Sequence, residues 1–108
     1  MMASSEQTRR LAIQAKLEAV LGSQNVYFNA PTNINMVYPC IIYEYDREET
    51  TYASNAPYIS RGVYTLTYIT RASDQNIFDS LKKAFRFVSL DRTFKTNNLY
   101  HFTFRLIY

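Results

Sequence analysis

The residues from 100 to 108 alternate without a break. Tyr100, Phe102, Phe104, Leu106 and Tyr108 are large and apolar, and His101, Thr103, Arg105 and Ile107 stand between them. Side chains alternate across a strand, so this run predicts a strand with one buried face and one mostly wet face. The same period predicts a strand over 40–47, with Ile41, Tyr43 and Tyr45 on one side and Ile42, Glu44 and Asp46 on the other. A third strand is expected over 58–70, where Tyr64, Leu66 and Tyr68 share a face opposite Val63, Thr65, Thr67 and Ile69. Shorter strands are predicted over 25–29 and 88–96, and Asn97-Asn98 supplies a tight turn into the last strand.

Two stretches carry the helical period instead. Ile13, Leu17, Val20 and Leu21 fall on one side of a helix over 5–21, with Ser4 as its cap, Gln7 as the capping-box partner and Gly22 as its stop. Ile77, Leu81, Ala84, Phe85 and Val88 form the stripe of a second helix, with Phe78 beside it; Ser73 caps it and it runs to about residue 87. The order α-β-β-β-α-β-β predicts an α+β fold: a single domain over 1–108, with a mostly antiparallel sheet and both helices packed on one face. Phe102, Phe104 and Leu106 are expected to meet Leu17, Leu21, Leu81 and Phe85 in the core.

Residues 30–39 contain two prolines and read as a loop. Residues 48–57 are polar and read as a connection longer than a tight hairpin needs. Long surface connections on a rigid scaffold often carry function. Arg47, Glu48, Glu49, Thr50, Thr51, Tyr52 and Asn55 are therefore the candidate protein-interface residues.

The bulk composition narrows the class. A chain of 108 residues fits one core, and 47% hydrophobic residues can fill it. Two glycines and three prolines leave no room for long disordered linkers. Ten tyrosines reflect either strand preference or a surface that a partner covers. The net charge of +3 is mild and does not by itself imply nucleic acid. A single cysteine excludes an intrachain disulfide or a cysteine-built zinc site and fits assembly in a reducing cytoplasm. No apolar run reaches transmembrane length, and no signal-peptide core opens the chain, so no membrane partner is expected.

Candidate chemistry is sparse. Cys40 with His101 is the one conceivable nucleophile and base, but Cys40 opens an apolar strand, where cysteine usually packs as a small hydrophobe. Asp46, Glu48 and Glu49 are the densest acidic group, and at a strand end they read as a solvated cluster able to meet a basic partner or repel DNA. Arg61-Gly62-Val63-Tyr64-Thr65-Leu66-Thr67-Tyr68 echoes an RNA-recognition strand in its opening Arg-Gly and closing aromatic, but departs from it at Val63 and Tyr64. No enzyme activity, metal or cofactor is expected. A nucleic-acid-binding module using Lys82, Lys83, Arg86 and Arg92 with exposed aromatics is the alternative to a structural role.

Four segments carry a resemblance. Tyr38-Pro39-Cys40-Ile41-Ile42-Tyr43-Glu44 resembles the Y-P-x-I-x-Y stretch of the tail terminator proteins of long-tailed bacteriophages, also called tail completion or tail-to-head joining proteins. Tyr52-Ala53-Ser54-Asn55-Ala56-Pro57-Tyr58 is similar to their Y-A-x-N-x-P-Y stretch. Asp91-Arg92-Thr93-Phe94 followed by Asn97-Asn98-Leu99-Tyr100-His101-Phe102 resembles their closing hairpin, and Val26-Tyr27-Phe28-Asn29-Ala30-Pro31-Thr32-Asn33 is also similar. The likeness spans 26–108, and over 73–87 some members of the family are shorter. It implies a homo-hexameric ring at the head-proximal end of a non-contractile tail, assembled in the host cytoplasm and carried in the virion. Such a ring caps the tail tube protein, stops its polymerisation and offers a docking face to the head connector or stopper protein. DNA passes through it without sequence-specific binding.

Overall fold

The computed structural model describes residues 2–29, 37–53, 56–71 and 76–108. Helix α1 spans Met2–Leu21, β1 Val26–Phe28, β2 Cys40–Ala53, β3 Ala56–Thr70, α2 Asn76–Ala84, β4 Phe87–Thr96 and β5 Leu99–Ile107. The five strands form one sheet in the order β1-β2-β3-β5-β4. Only β1 and β2 run parallel; the other three pairings are antiparallel. This is the α+β architecture that the alternation predicts.

Both helices cover the same face of the sheet. Ile13 and Leu17 of α1 join Ile77 and Leu81 of α2 and Phe85 just beyond it. They pack on Ile41 and Tyr43 of β2, Tyr64, Leu66 and Tyr68 of β3, and Phe102, Phe104 and Leu106 of β5. Leu21 is only partly buried and lines the margin of this core. Fully burying each large side chain contributes about 1.5–3 kcal/mol, so this one layer dominates the stability.

Local chemistry sets the ends of the elements. Gly22 adopts φ 78° and its amide bonds the Glu18 carbonyl at 2.9 Å, which stops α1. Asn97 and Asn98 both have positive φ, 52° and 60°, the geometry of a two-residue hairpin turn. Two expectations shift. Helix α1 begins at Met2, so Ser4 lies inside its first turn rather than at its cap; Met and Ala are good helix formers and extend it. Helix α2 ends at Ala84, because Phe87 already pairs with Ile107 in the sheet. The capping assignment at Ser73 lies outside the described residues.

The largest correction concerns 48–57, which is not an open loop. β2 continues to Ala53 and β3 starts at Ala56, with the two strands paired from Arg47↔Val63 to Ala53↔Ala56. Residues 46–50 are all exposed, so this part of β2 has no buried face and no hydrophobic alternation to announce it. The domain is correspondingly long, with extents of 50 × 24 × 22 Å.

Candidate functional site

The β2–β3 hairpin has a base inside the core and an arm beyond it. A register shift between Tyr45 and Arg47 marks the transition. Such a bulge bends the strand and increases its twist, which re-aims the residues beyond it. Of the candidate interface residues, Arg47, Glu48, Glu49 and Thr50 lie on the exposed arm, and Thr51 and Tyr52 are paired in its outer part. Asn55 lies outside the described residues.

Glu48 is not merely solvated. Its Oε1 accepts from Arg9 Nη1 at 3.0 Å and from the Tyr45 hydroxyl at 2.9 Å. Its Oε2 accepts from Arg9 Nη2 at 3.2 Å and from Ser60 Oγ at 2.5 Å. The Arg9 fork, with the Ser60 and Tyr45 hydroxyls, holds the carboxyl down at about 2, against an ordinary value of 4.5. The guanidinium is raised in turn, first by its hydrogen bonds to Glu48. A bidentate Arg–carboxylate pair fixes direction as well as distance. It ties α1 to the root of the arm.

Gly62 makes this clamp possible. A Cβ there would lie 2.5 Å from Arg9 Nη1 and 2.8 Å from Tyr64 Cε1. The absent side chain is the space in which Arg9 crosses the strand to reach Glu48. A second tether joins α1 to the sheet lower down, where the buried Tyr43 hydroxyl donates to Gln14 Oε1 at 2.6 Å and Gln14 donates to the Val26 carbonyl at 3.1 Å. Burial pushes the Tyr43 phenol up to about 12, so it stays a donor.

The remaining arm charges largely balance each other. Arg47 pairs with Asp46 at 2.6 Å and with Glu49 at 3.4 Å. The acidic cluster inferred from sequence is thus divided: Glu48 serves the clamp, and Asp46 and Glu49 share Arg47.

The other candidates are separated by the fold. Cys40 is fully buried, and desolvation raises its thiol to about 11. It pairs with Ile69, which pairs with His101 on the next strand. Two strand spacings, roughly 10 Å, therefore divide the Cys40 and His101 backbones. His101 stacks on Phe94 with ring centroids 4.7 Å apart, and its Nδ1 lies 3.2 Å from the Leu99 carbonyl. Tyr64 and Tyr68, the aromatics of the RNA-strand echo, lie buried beneath the helices and offer no stacking platform. Lys82 of the basic helix pairs with Asp79 at 3.6 Å. Among the described residues no group of three or more His, Cys, Asp and Glu side chains could hold a metal ion. None of the described helices is long and apolar enough to cross a membrane.

A shallow groove of about 490 Å³ lies between α2 and the outer strands, lined by Ile77, Phe78, Asp79, Leu90, Thr93, Phe102 and Phe104. Beside it, β4 is the edge of the sheet, and all of its residues but Val88 are exposed. Sequence patterning missed Arg9, Tyr45, Ser60 and Gly62 as parts of the arm's root. Arg9 is 39 residues from Glu48, so no local signal connects them. No protein-family model matches this sequence, and no curated protein shows significant similarity to it.

Proposed function

We propose that this protein is a structural assembly module that docks through its clamped β arm. Within that class, we propose a tail terminator of a long-tailed phage, a ring of six copies that caps the tail tube. The observation that carries the reading is the arm itself: paired backbone continues beyond the core, residues 46–50 are exposed, and the root is fixed by Arg9 and Glu48. A projection ordered by strand pairing and tied down at its root is suited to reaching a neighbour, because pairing already limits the conformational entropy lost on docking. The Y-A-x-N-x-P-Y resemblance lies on this same arm. The fold buries Cys40 and sets it two strands from His101, which supports a structural reading over a thiol-based catalytic one.

Termination is then a matter of symmetry. A closed ring presents identical arms at matched angles to a tube end and covers the surface on which the next tube layer would grow. Its opposite side remains for the head connector. Replacing residues 52–58 with Asn-Gly would join Thr51 to Ile59 through a tight turn and remove the outer arm while keeping Arg9, Tyr45 and Ser60 on Glu48. The variant should remain folded and soluble. In phage assembly it should yield overlong tubes or tails that never join heads. Tails of normal length attached to heads would overturn this reading.

A further inference from the structure

We infer that the face of the sheet turned away from the helices binds single-stranded nucleic acid along β4 and β5, with Arg61, Arg92 and Arg105 on its phosphates and Phe87 and Phe94 against its bases. The net charge of +3 conceals a division along the chain. Residues 80–108 carry Lys82, Lys83, Arg86, Arg92, Lys95 and Arg105 against Asp91 alone. That leaves six of the twelve Lys and Arg, and eight of the nine Asp and Glu, to residues 1–79. The excess positive charge therefore gathers around the end of α2, β4 and β5. Clustering of this kind, rather than the total, is the footprint of a polyanion site.

Alternation places these residues. Phe102, Phe104 and Leu106 of β5 face the helices, so His101, Thr103, Arg105 and Ile107 face the other way. The ladder sets Phe87 beside Ile107, Arg92 beside Thr103 and Phe94 beside His101, so all three share that outer face. Val63 of β3 also lies beside Ile107, and Arg61, two residues before it, shares the face as well. Arg92 and Arg105 stand one strand across and one side-chain repeat along, with backbones roughly 8 Å apart. From Phe87 to Phe94 the face runs roughly 20 Å. Arg92 and Arg105 are exposed, and so are the two rings, Phe87 by 42% and Phe94 by 43%.

Acids do not engage these cations. No described carboxylate forms an ion pair with Lys16, Arg61, Arg86, Arg92 or Arg105. Glu49, opposite Arg61 in the ladder, pairs with Arg47 instead. Glu44, the acid of β2 level with Arg105, lies two strands away, roughly 10 Å. The arginines rest on rings. Arg61 lies over Phe87 at 4.9 Å and Arg92 over Phe94 at 5.6 Å. At one end of the face a cavity of about 250 Å³ is lined by Lys16, Arg61, Arg86, Phe87, Ile107 and Tyr108, and none of these side chains is acidic. Its three cations come from α1, β3 and the connection between α2 and β4.

Chemistry selects the occupant. A single acidic side chain of another protein would be satisfied by the cavity alone. Cations spread along the face match a ligand whose negative charge repeats, and exposed rings among them match one that also carries flat bases. The major groove of a duplex admits a helix or a two-stranded ribbon, and the flat face of β4 and β5 presents neither, so a single strand is the better fit. Glu44 on β2 bounds the path on its far side. The inference does not depend on the ring proposed above.

Fluorescence anisotropy with labelled oligothymidylate tests the site on the full chain. Wild type should bind at low salt and lose affinity steeply as salt rises. Arg92→Ala with Arg105→Ala, folded by circular dichroism, should weaken binding by about tenfold or more and flatten the slope of log affinity against log salt by about 1.4, the share of two phosphates. Phe87→Leu with Phe94→Leu keeps apolar bulk and every charge, so it should weaken binding by about fivefold or more at an unchanged slope. Lys82→Ala with Lys83→Ala lies on α2, in the opposite layer, and should change affinity by less than about threefold. The inference is overturned if wild type does not bind the strand at low salt, or if the Arg92, Arg105 variant binds as wild type does. It is also overturned if the Lys82, Lys83 variant loses more affinity than that one, or if a duplex of the same length binds more tightly than the strand. Polyglutamate that competes as well as unlabelled oligothymidylate would overturn it too and assign the face to an acidic protein. None of these outcomes bears on tail capping, which the arm replacement tests.

Discussion

The two halves of the β2–β3 hairpin share one ladder and are held in different ways. In the base, Ile41, Tyr43, Leu66 and Tyr68 lie under two helices, and apolar burial fixes their register. In the arm, residues 46–50 are exposed, and position is set by backbone pairing and by one ion-pair clamp at the root. The base therefore resists change and the arm tolerates it. Substitutions on the exposed residues 46–50 can therefore change the surface of the arm without disturbing the core.

The most severe break of the comparison is in the core. Phe104 is 1% exposed and packs against Phe78, with ring centroids 5.6 Å apart. Phe104→Ala should cost about 3–5 kcal/mol, seen as a large drop in the urea midpoint. An unchanged midpoint would mean that the layer assigned as the core does not hold the domain together.

Next comes the root of the arm. Gly62→Ala sets a methyl against Arg9 and Tyr64, and should destabilise by about 1–3 kcal/mol. Arg9→Ala removes the cation instead of crowding it, so combining the two substitutions should cost less than the sum of each. Additive costs in that double-mutant cycle would show that Gly62 does not act through Arg9.

The same clamp predicts a pH dependence. The Glu48 carboxyl sits at about 2 when folded, below its ordinary 4.5. A depressed carboxylate stabilises the folded state above its unfolded pKa, and that contribution is lost as pH falls from about 4.5 through about 2. Because the pair is partly solvated, it is worth about 1 kcal/mol. The stability difference between wild type and Glu48→Gln should be full at about pH 6 and fall away as the pH drops from about 4.5 through about 2. A difference that persists at the acid end would assign the effect to packing.

These features differ in how plainly the sequence carries them. The strand ending in Ile107 is visible because every second residue from Tyr100 to Tyr108 is large and apolar, and burial tracks that alternation closely. The arm is hidden because Asp46 to Thr50 are polar on both sides, so pairing there leaves no period in hydrophobicity. Thr50, Thr51 and Tyr52 do favour strands, but propensity alone does not distinguish an extended hairpin from a loop. The clamp is hidden for another reason. Arg9 and Glu48 belong to elements whose meeting depends on how α1 crosses the sheet, and Gly62 matters only once that crossing exists. The edge at β4 is half visible: its residues read as a strand, but nothing local marks it as the one without a neighbour.

The smallest stability effects separate partner types. Lys82→Glu with Lys83→Glu reverses two exposed charges on α2, and Asp46→Lys with Glu49→Lys reverses two on the arm while sparing the clamp at Glu48. Both lie on the surface, so each should change the melting temperature by only a few degrees. Their effects on assembly should diverge. If the arm makes the contact, the arm reversal should reduce capping of tail tubes by about tenfold or more, and the helix reversal should leave it unchanged. The opposite ranking would point to the basic helix and to nucleic acid as the partner. Salt provides an independent reading. Binding to a duplex through several phosphates weakens steeply, by about 10³–10⁵ between 50 and 200 mM salt for six to ten contacts. A protein joint that neutralises no row of phosphates should weaken far less steeply over the same range.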